Sequence, residues 1–150
     1  MKLRYHNSPV LRTMSTEIEE VTLEIKKLAK KMIDFCKKKG GIGLAAPQIG
    51  KNIRLVVVIV NGKGTAMINP RIIQMSDEMS KDVEGCLSCP GIDLSIERHE
   101  RIVVEAMNLD GKVGQASCSG LLARCIQHEI DHLDGILIVD YASNDIEGKK

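Results

Sequence analysis

The sequence predicts an α+β fold. Three observations carry that prediction: a long amphipathic spacing near the start, a middle region of short β-branched segments separated by turn residues, and a return of helical periodicity after residue 120. The expected arrangement is short antiparallel strands in sheets packed around a central second helix, with the first helix amphipathic and N-terminal. From Glu17 to Lys39, apolar residues fall at Ile18, Val21, Ile25, Leu28, Met32 and Phe35, one face of a helix. Two starts compete, a Thr16/Glu19 capping box and a shorter helix capped by Thr22. Three lysines followed by Gly40-Gly41 mark its end. The lysine-rich opposite face reads as a solvated surface.

Ile53 to Val60 reads as a buried strand crossing the middle of a sheet. Further strands are expected at Thr65 to Asn69, Arg71 to Gln74, Ile92 to Ile96, Arg101 to Met107 and Lys112 to Ser117. Asn61-Gly62, Asn69-Pro70, Pro90-Gly91 and Asp110-Gly111 supply the turns between them. The second helix runs from Leu121 through Leu133, with Ser119 as N-cap and Gly135 as stop. Ile136 to Val139 is expected to add an edge strand, and Asn144 to Lys150 to fray.

Composition narrows the function. The 150 residues are expected to form one domain, residues 1–150, and a chain of that length buries roughly two-thirds of its unfolded surface. Its core then needs no structural metal, which leaves any metal free for chemistry. Aromatic residues make up 2% of the chain and the net charge is +1, which argues against base-stacking platforms and phosphate-neutralising surfaces. No apolar run approaches the roughly 20 residues of a membrane span, and the N-terminus has no export signal, so a cytoplasmic location is expected. Five cysteines in such a chain read as free thiols or metal ligands.

The chemistry is concentrated in Gln127-His128-Glu129-Ile130-Asp131-His132. Residues four apart share a helix face, so His128 and His132 can present two imidazoles to one cation. Glu129, beside the first ligand, is placed to take a proton from the attacking water without ligating the metal itself. A catalytic site needs a third protein ligand and an open position. Glu84-Gly85-Cys86-Leu87-Ser88-Cys89-Pro90 is the best source for it. Pro90 favours an extended Cys89, and in an extended segment positions 86 and 89 face opposite ways, so only one cysteine should reach the metal. The same Cys-x-x-Cys also fits half of a structural zinc knuckle or a redox pair, but a closed Cys-Cys-His-His site would leave Glu129 without a task. A third segment, Gly41-Ile42-Gly43-Leu44-Ala45-Ala46-Pro47-Gln48, suits close backbone approach and offers an amide at Gln48.

Together and in this order, the three segments resemble peptide deformylase, over essentially Val10 to Tyr141. The resemblance implies a hydrolase that removes the N-formyl group from the first methionine of newly made proteins and releases formate. It implies Cys86, His128 and His132 as metal ligands, Glu129 as general base and acid, and Gln48 with the backbone N–H of Leu87 as oxyanion donors. It implies a peptide running beside Ile42, Gly43 and Gly85, a methionine pocket that includes Ile42, Cys125 and the His128 ring, and Arg98 near the substrate mouth. The implied cofactor is iron(II) (Fe2+), with Zn2+, Ni2+ or Co2+ able to replace it in purified protein, and the implied partners are formylated nascent peptides. Cys89 stands where the family more often has an aliphatic residue. Nine residues follow Tyr141 where many relatives continue into a helix associated with ribosome docking, so ribosome association is not expected to be strong. The competing functional classes are a zincin-like endopeptidase and a catalytically weak formyl-peptide-binding homologue.

Overall fold

The computed structural model describes residues 1–146. Helix α1 spans Leu23–Lys38, and the Thr22 side chain caps it by accepting from the N–H of Ile25 at 3.2 Å. Thr22 therefore wins over Thr16, which instead forms an isolated parallel bridge to Ile53. Strands β1 (Gly43–Ala45), β2 (Leu55–Val60), β3 (Lys63–Met75), β6 (Arg101–Met107) and β7 (Val113–Ser119) form an antiparallel sheet in the order β1-β2-β3-β6-β7. Strands β4 (Met79–Cys86) and β5 (Cys89–His99) form a separate hairpin. Helices α2 (Gly120–Leu133) and α3 (Ile138–Ile146) follow.

Strand β2 is apolar throughout because both faces of its sheet are covered. Leu55 and Val57 pack with Ala29, Met32 and Cys36 of α1, while Val58 packs with Ala123, Cys125, Ile126 and Ile130 of α2. Successive side chains of a strand point to opposite faces, so the sheet lies between the two helices. Helix α2 also reaches β5, which places it at the centre of the molecule. The β4-β5 hairpin is held from outside by α3, with Cys89, Ile96 and Ile138 at the contact.

Several expectations are corrected. Asn69-Pro70 does not separate two strands. Asn69 takes a left-handed backbone (φ 51°), its side chain bonds both backbone groups of Ile18, and β3 continues past it with a register shift. Met79–Cys86 is a strand although its sequence is mostly polar, since one face of the hairpin is open to solvent. The hairpin turns at Leu87-Ser88, and Pro90-Gly91 lies inside β5. Residues 138 and 139 belong to a helix: Leu137 and Ile138 are buried, and the Asp140 carboxylate accepts from the N–H of Leu137 at 3.0 Å, satisfying a first-turn donor. That helix runs to Ile146; residues 147–150, the rest of the segment expected to fray, lie outside the described part.

Helix α1 approaches β3 closely enough to forbid a side chain at Gly64, where an added Cβ would sit 2.3 Å from Cγ2 of Ile33. The branched Ile33 has little freedom to yield. Gly64→Ala should cost about 1–3 kcal/mol through overpacking, read as a lowered denaturant midpoint at unchanged slope.

Candidate metal centre

His128 and His132 sit one turn apart on α2 with ring centroids 5.0 Å apart, and Cys86 reaches them from the end of β4. Ligand atoms of the three residues all lie within 4.8 Å of one another, and Cys86 Sγ is 3.4 Å from His132 Nε2. Cys89 is not part of this group. The expected reason for that was wrong, however: the tight turn makes Cys86 and Cys89 opposed partners in register, so they share a face of the hairpin. Cys89 is buried instead against Ile96 and Ile138.

Glu84, two residues before Cys86 and on the same side of the strand, organises the centre from below. Its carboxylate accepts from Arg98 Nε at 2.8 Å and Nη2 at 2.9 Å, from Arg124 Nη1 at 2.7 Å and from His128 Nδ1 at 2.9 Å. Burial alone would raise the Glu84 pKa, but hydrogen bonds from Arg98 and then His128 hold it well below the ordinary carboxylate range. With Nδ1 donating to that carboxylate, His128 keeps Nε2 for a cation. Burial would by itself lower His128, and the Glu84 bond with the nearby carboxylates reverses this and raises it. His132 is pushed well below its ordinary value by burial and then by the neighbouring His128, which favours the neutral, ligating ring. In the metal-free chain the Cys86 thiol is pushed up by its hydrogen bond with Cys89, by burial and by the charge of Glu129.

The donor set fits a cation. A thiol and two imidazoles, one oriented through a carboxylate, match the ligand chemistry of zinc and related transition metals. Beside them Glu129 is buried, with Oε1 free of any partner, and burial lifts its carboxyl to about 7. A buried acceptor left open next to three converging ligands marks a place built for a ligand's polar atoms.

A cavity of about 390 Å³ opens over the centre. Glu129, His128, Cys125 and Cys86 line it, with Gln48, Leu87, Ile42, Gly43 and Gly85. Ile42, Val83 and Leu121 give it an exposed apolar rim. The Gln48 side chain is buried; Oε1 accepts from the N–H of Ala45 at 2.9 Å, while Nε2 donates to Ser88 Oγ at 3.1 Å and faces Cys86 Sγ at 3.7 Å. Gly43 begins the edge strand β1, and an added Cβ there would lie 2.6 Å from both Cys125 Sγ and Glu129 Oε2. The carbonyl of Ile42 accepts from Ile59, so by strand alternation the backbone groups of Gly43 face away from β2.

Arg98 is the misplaced site residue. It is 4% exposed, does not line the cavity, and lies behind the ligands, bound to Glu84, to Asp131 Oδ2 at 2.6 Å and to the Tyr141 hydroxyl at 3.0 Å. Four of its five N–H donors are taken by Glu84, Asp131 and Tyr141, which ties the guanidinium behind the ligands and away from the cavity. The sequence reading missed Glu84, Arg124, Asp131 and Tyr141 as parts of this network. One signal was available for two of them: Arg124 and Asp131 are charged residues within a helix whose neighbours Ala123, Ile126 and Ile130 read as core.

Two imidazoles and an intervening glutamate on a buried helix, with a thiol from a β-hairpin and an open cavity above, define a metal-dependent hydrolase. The family model described as Polypeptide deformylase matches residues 1–147. Among similar proteins, the "Peptide deformylase" of Dictyoglomus thermophilum is 45% identical over 141 residues, covering 94% of this chain and 92% of that one. That of Carboxydothermus hydrogenoformans is 45% identical over 136 residues, covering 91% and 89%. The crystal structure of peptide deformylase from Thermotoga maritima superposes with a TM-score of 0.90 at 39% identity, covering 93% of this chain and 95% of that one. The chain belongs to the peptide deformylase family.

Proposed function

We propose that this chain hydrolyses the formamide at the amino-terminal methionine of newly synthesised polypeptides, giving formate and a free amine. The observation that carries the reading is the convergence of Cys86, His128 and His132 beside the open carboxylate of Glu129, at the floor of a cavity bordered by an edge strand. Cys86, His128 and His132 hold the cation, iron(II) in the cell and replaceable by zinc, nickel or cobalt, which when bound polarises the formyl oxygen and acidifies water. Glu129 takes a proton from the water that attacks the formyl carbon and delivers it to the nitrogen as the C–N bond breaks. Gln48 Nε2 and the N–H of Leu87 stabilise negative charge on the formyl oxygen; one such donor is typically worth about 10²- to 10³-fold in rate. The peptide backbone lies between Gly43 of β1 and Gly85 of β4, a mode of binding that reads little sequence. Ile42, Cys125 and the face of His128 receive the methionine side chain. Arg98 and Arg124 hold the Glu84 carboxylate, which fixes the His128 ring.

Among the described residues no helix is long and apolar enough to cross a membrane. The proposed setting is the cytoplasm, where formylated nascent chains are the partners; ribosome docking forms no part of the reading. Formate release from formyl-Met-Ala-Ser under anaerobic conditions, with metal analysis of the same sample, tests it. Cleavage of casein without formate release would point to an endopeptidase instead, and peptide binding without turnover to a non-catalytic relative.

Cys86→Ser replaces a soft thiolate with a hydroxyl that ionises poorly. The variant should lose its metal on dialysis against a chelator that leaves the unmodified protein loaded, and unchanged metal content would reassign the third ligand.

A further inference from the structure

We propose that Cys86 and Cys89 form a reversible disulfide under hydroperoxide stress, converting the metal ligand into a protected, metal-free form. The two residues are opposed partners at the closing end of the β4-β5 hairpin. Opposed residues of an antiparallel pair have Cα atoms about 4.5–5.5 Å apart, inside the roughly 4.4–6.8 Å that a disulfide spans. Their side chains share one face, and Cys86 packs against the cluster that buries Cys89. The two differ in access: Cys86 lines the open cavity, while Cys89 is 1% exposed and lies behind it.

That asymmetry assigns the steps. The Cys86 sulfur attacks hydrogen peroxide; an S–O bond forms, the O–O bond breaks, and Cys86 becomes a sulfenic acid as hydroxide leaves. Cys89 gives up its proton and its sulfur attacks the Cys86 sulfur; the S–S bond forms, the S–O bond breaks, and the second hydroxide leaves. With the two thiol protons the products are two waters, so one peroxide is reduced by two electrons and two thiols are oxidised. The disulfide takes up the sulfur a cation would use, so the bridged chain and a loaded site exclude each other. The bond itself does not depend on the deformylase reading; only its consequence for the metal does.

The test treats the zinc-loaded full chain, and a chelator-stripped sample of it, with hydrogen peroxide. Free thiols should fall by two, a peptide crosslinked between Cys86 and Cys89 should appear, zinc should be released, and dithiothreitol should restore both thiols and zinc binding. In Cys89→Val, with Cys89→Ser as a second replacement should packing fail, Cys86 should proceed to sulfinic acid and dithiothreitol should not restore zinc binding. Thiol loss without that crosslinked peptide overturns the proposal. So does sulfinic acid accumulating at Cys86 equally fast in unmodified and variant chains, and so does survival of all five thiols in the stripped sample.

Discussion

Replacing Glu129 with glutamine should cut formate release by about 10²- to 10⁴-fold while leaving the cation in place. The side chain is 3% exposed, has one oxygen without a partner and the other against Gly43, and does not belong to the group of ligand atoms. Glutamine keeps the shape and the packing but cannot accept and return a proton. Proton transfer by a positioned side chain contributes typically about 10²- to 10⁴-fold, and the rate should fall by that order. Metal content and thermal midpoint should stay near those of the unmodified protein. Formate release at the unmodified rate would remove Glu129 from the mechanism.

The second large effect is on stability. Glu84→Gln should destabilise the fold by about 3–5 kcal/mol, because Arg124 would keep its buried charge with no carboxylate beside it and Arg98 would be left with Asp131 alone. For a chain of this size that is roughly 6–20 °C in midpoint. His128 would lose its acceptor at Nδ1, and metal affinity should fall about 10- to 100-fold as the ring loses its fixed orientation. The exposed Arg101–Glu78 pair supplies the control, since truncating either side chain should leave both readings unchanged within error. An unshifted melting curve for Glu84→Gln would mean that the arginines find other partners.

The two histidines and Glu129 were legible because the chemistry fixes their spacing: ligands four apart on a helix are a local pattern. Cys86 was legible as one of two cysteines, and only the resemblance chose between them. Sequence alone misjudged the turn that makes them partners, since Leu87-Ser88 lacks the glycine or asparagine that marks most tight hairpins. Strand β4 escaped notice for a related reason, as its polar residues pair with β5 while one face stays wet. The roles of Arg98 and Glu84 were hidden because a buried ion pair between β4 and β5, reaching α2 through Arg124, is a tertiary fact with no signature in spacing. The reading of 136 to 139 failed because Asp140 caps a helix there in concert with Arg12, 128 residues away.

The central helix is also made late. It begins at residue 120, and both sheets close on it, yet synthesis delivers the strands first. Until α2 leaves the ribosome, Val58, Ile102 and Val104 have no surface to lie against. The growing chain therefore carries sticky, unfinished sheets until that helix emerges, and premature termination before Gly120 should yield insoluble aggregates rather than an inactive soluble fragment. Chaperone demand should peak after Val104 has been translated and before α2 has emerged.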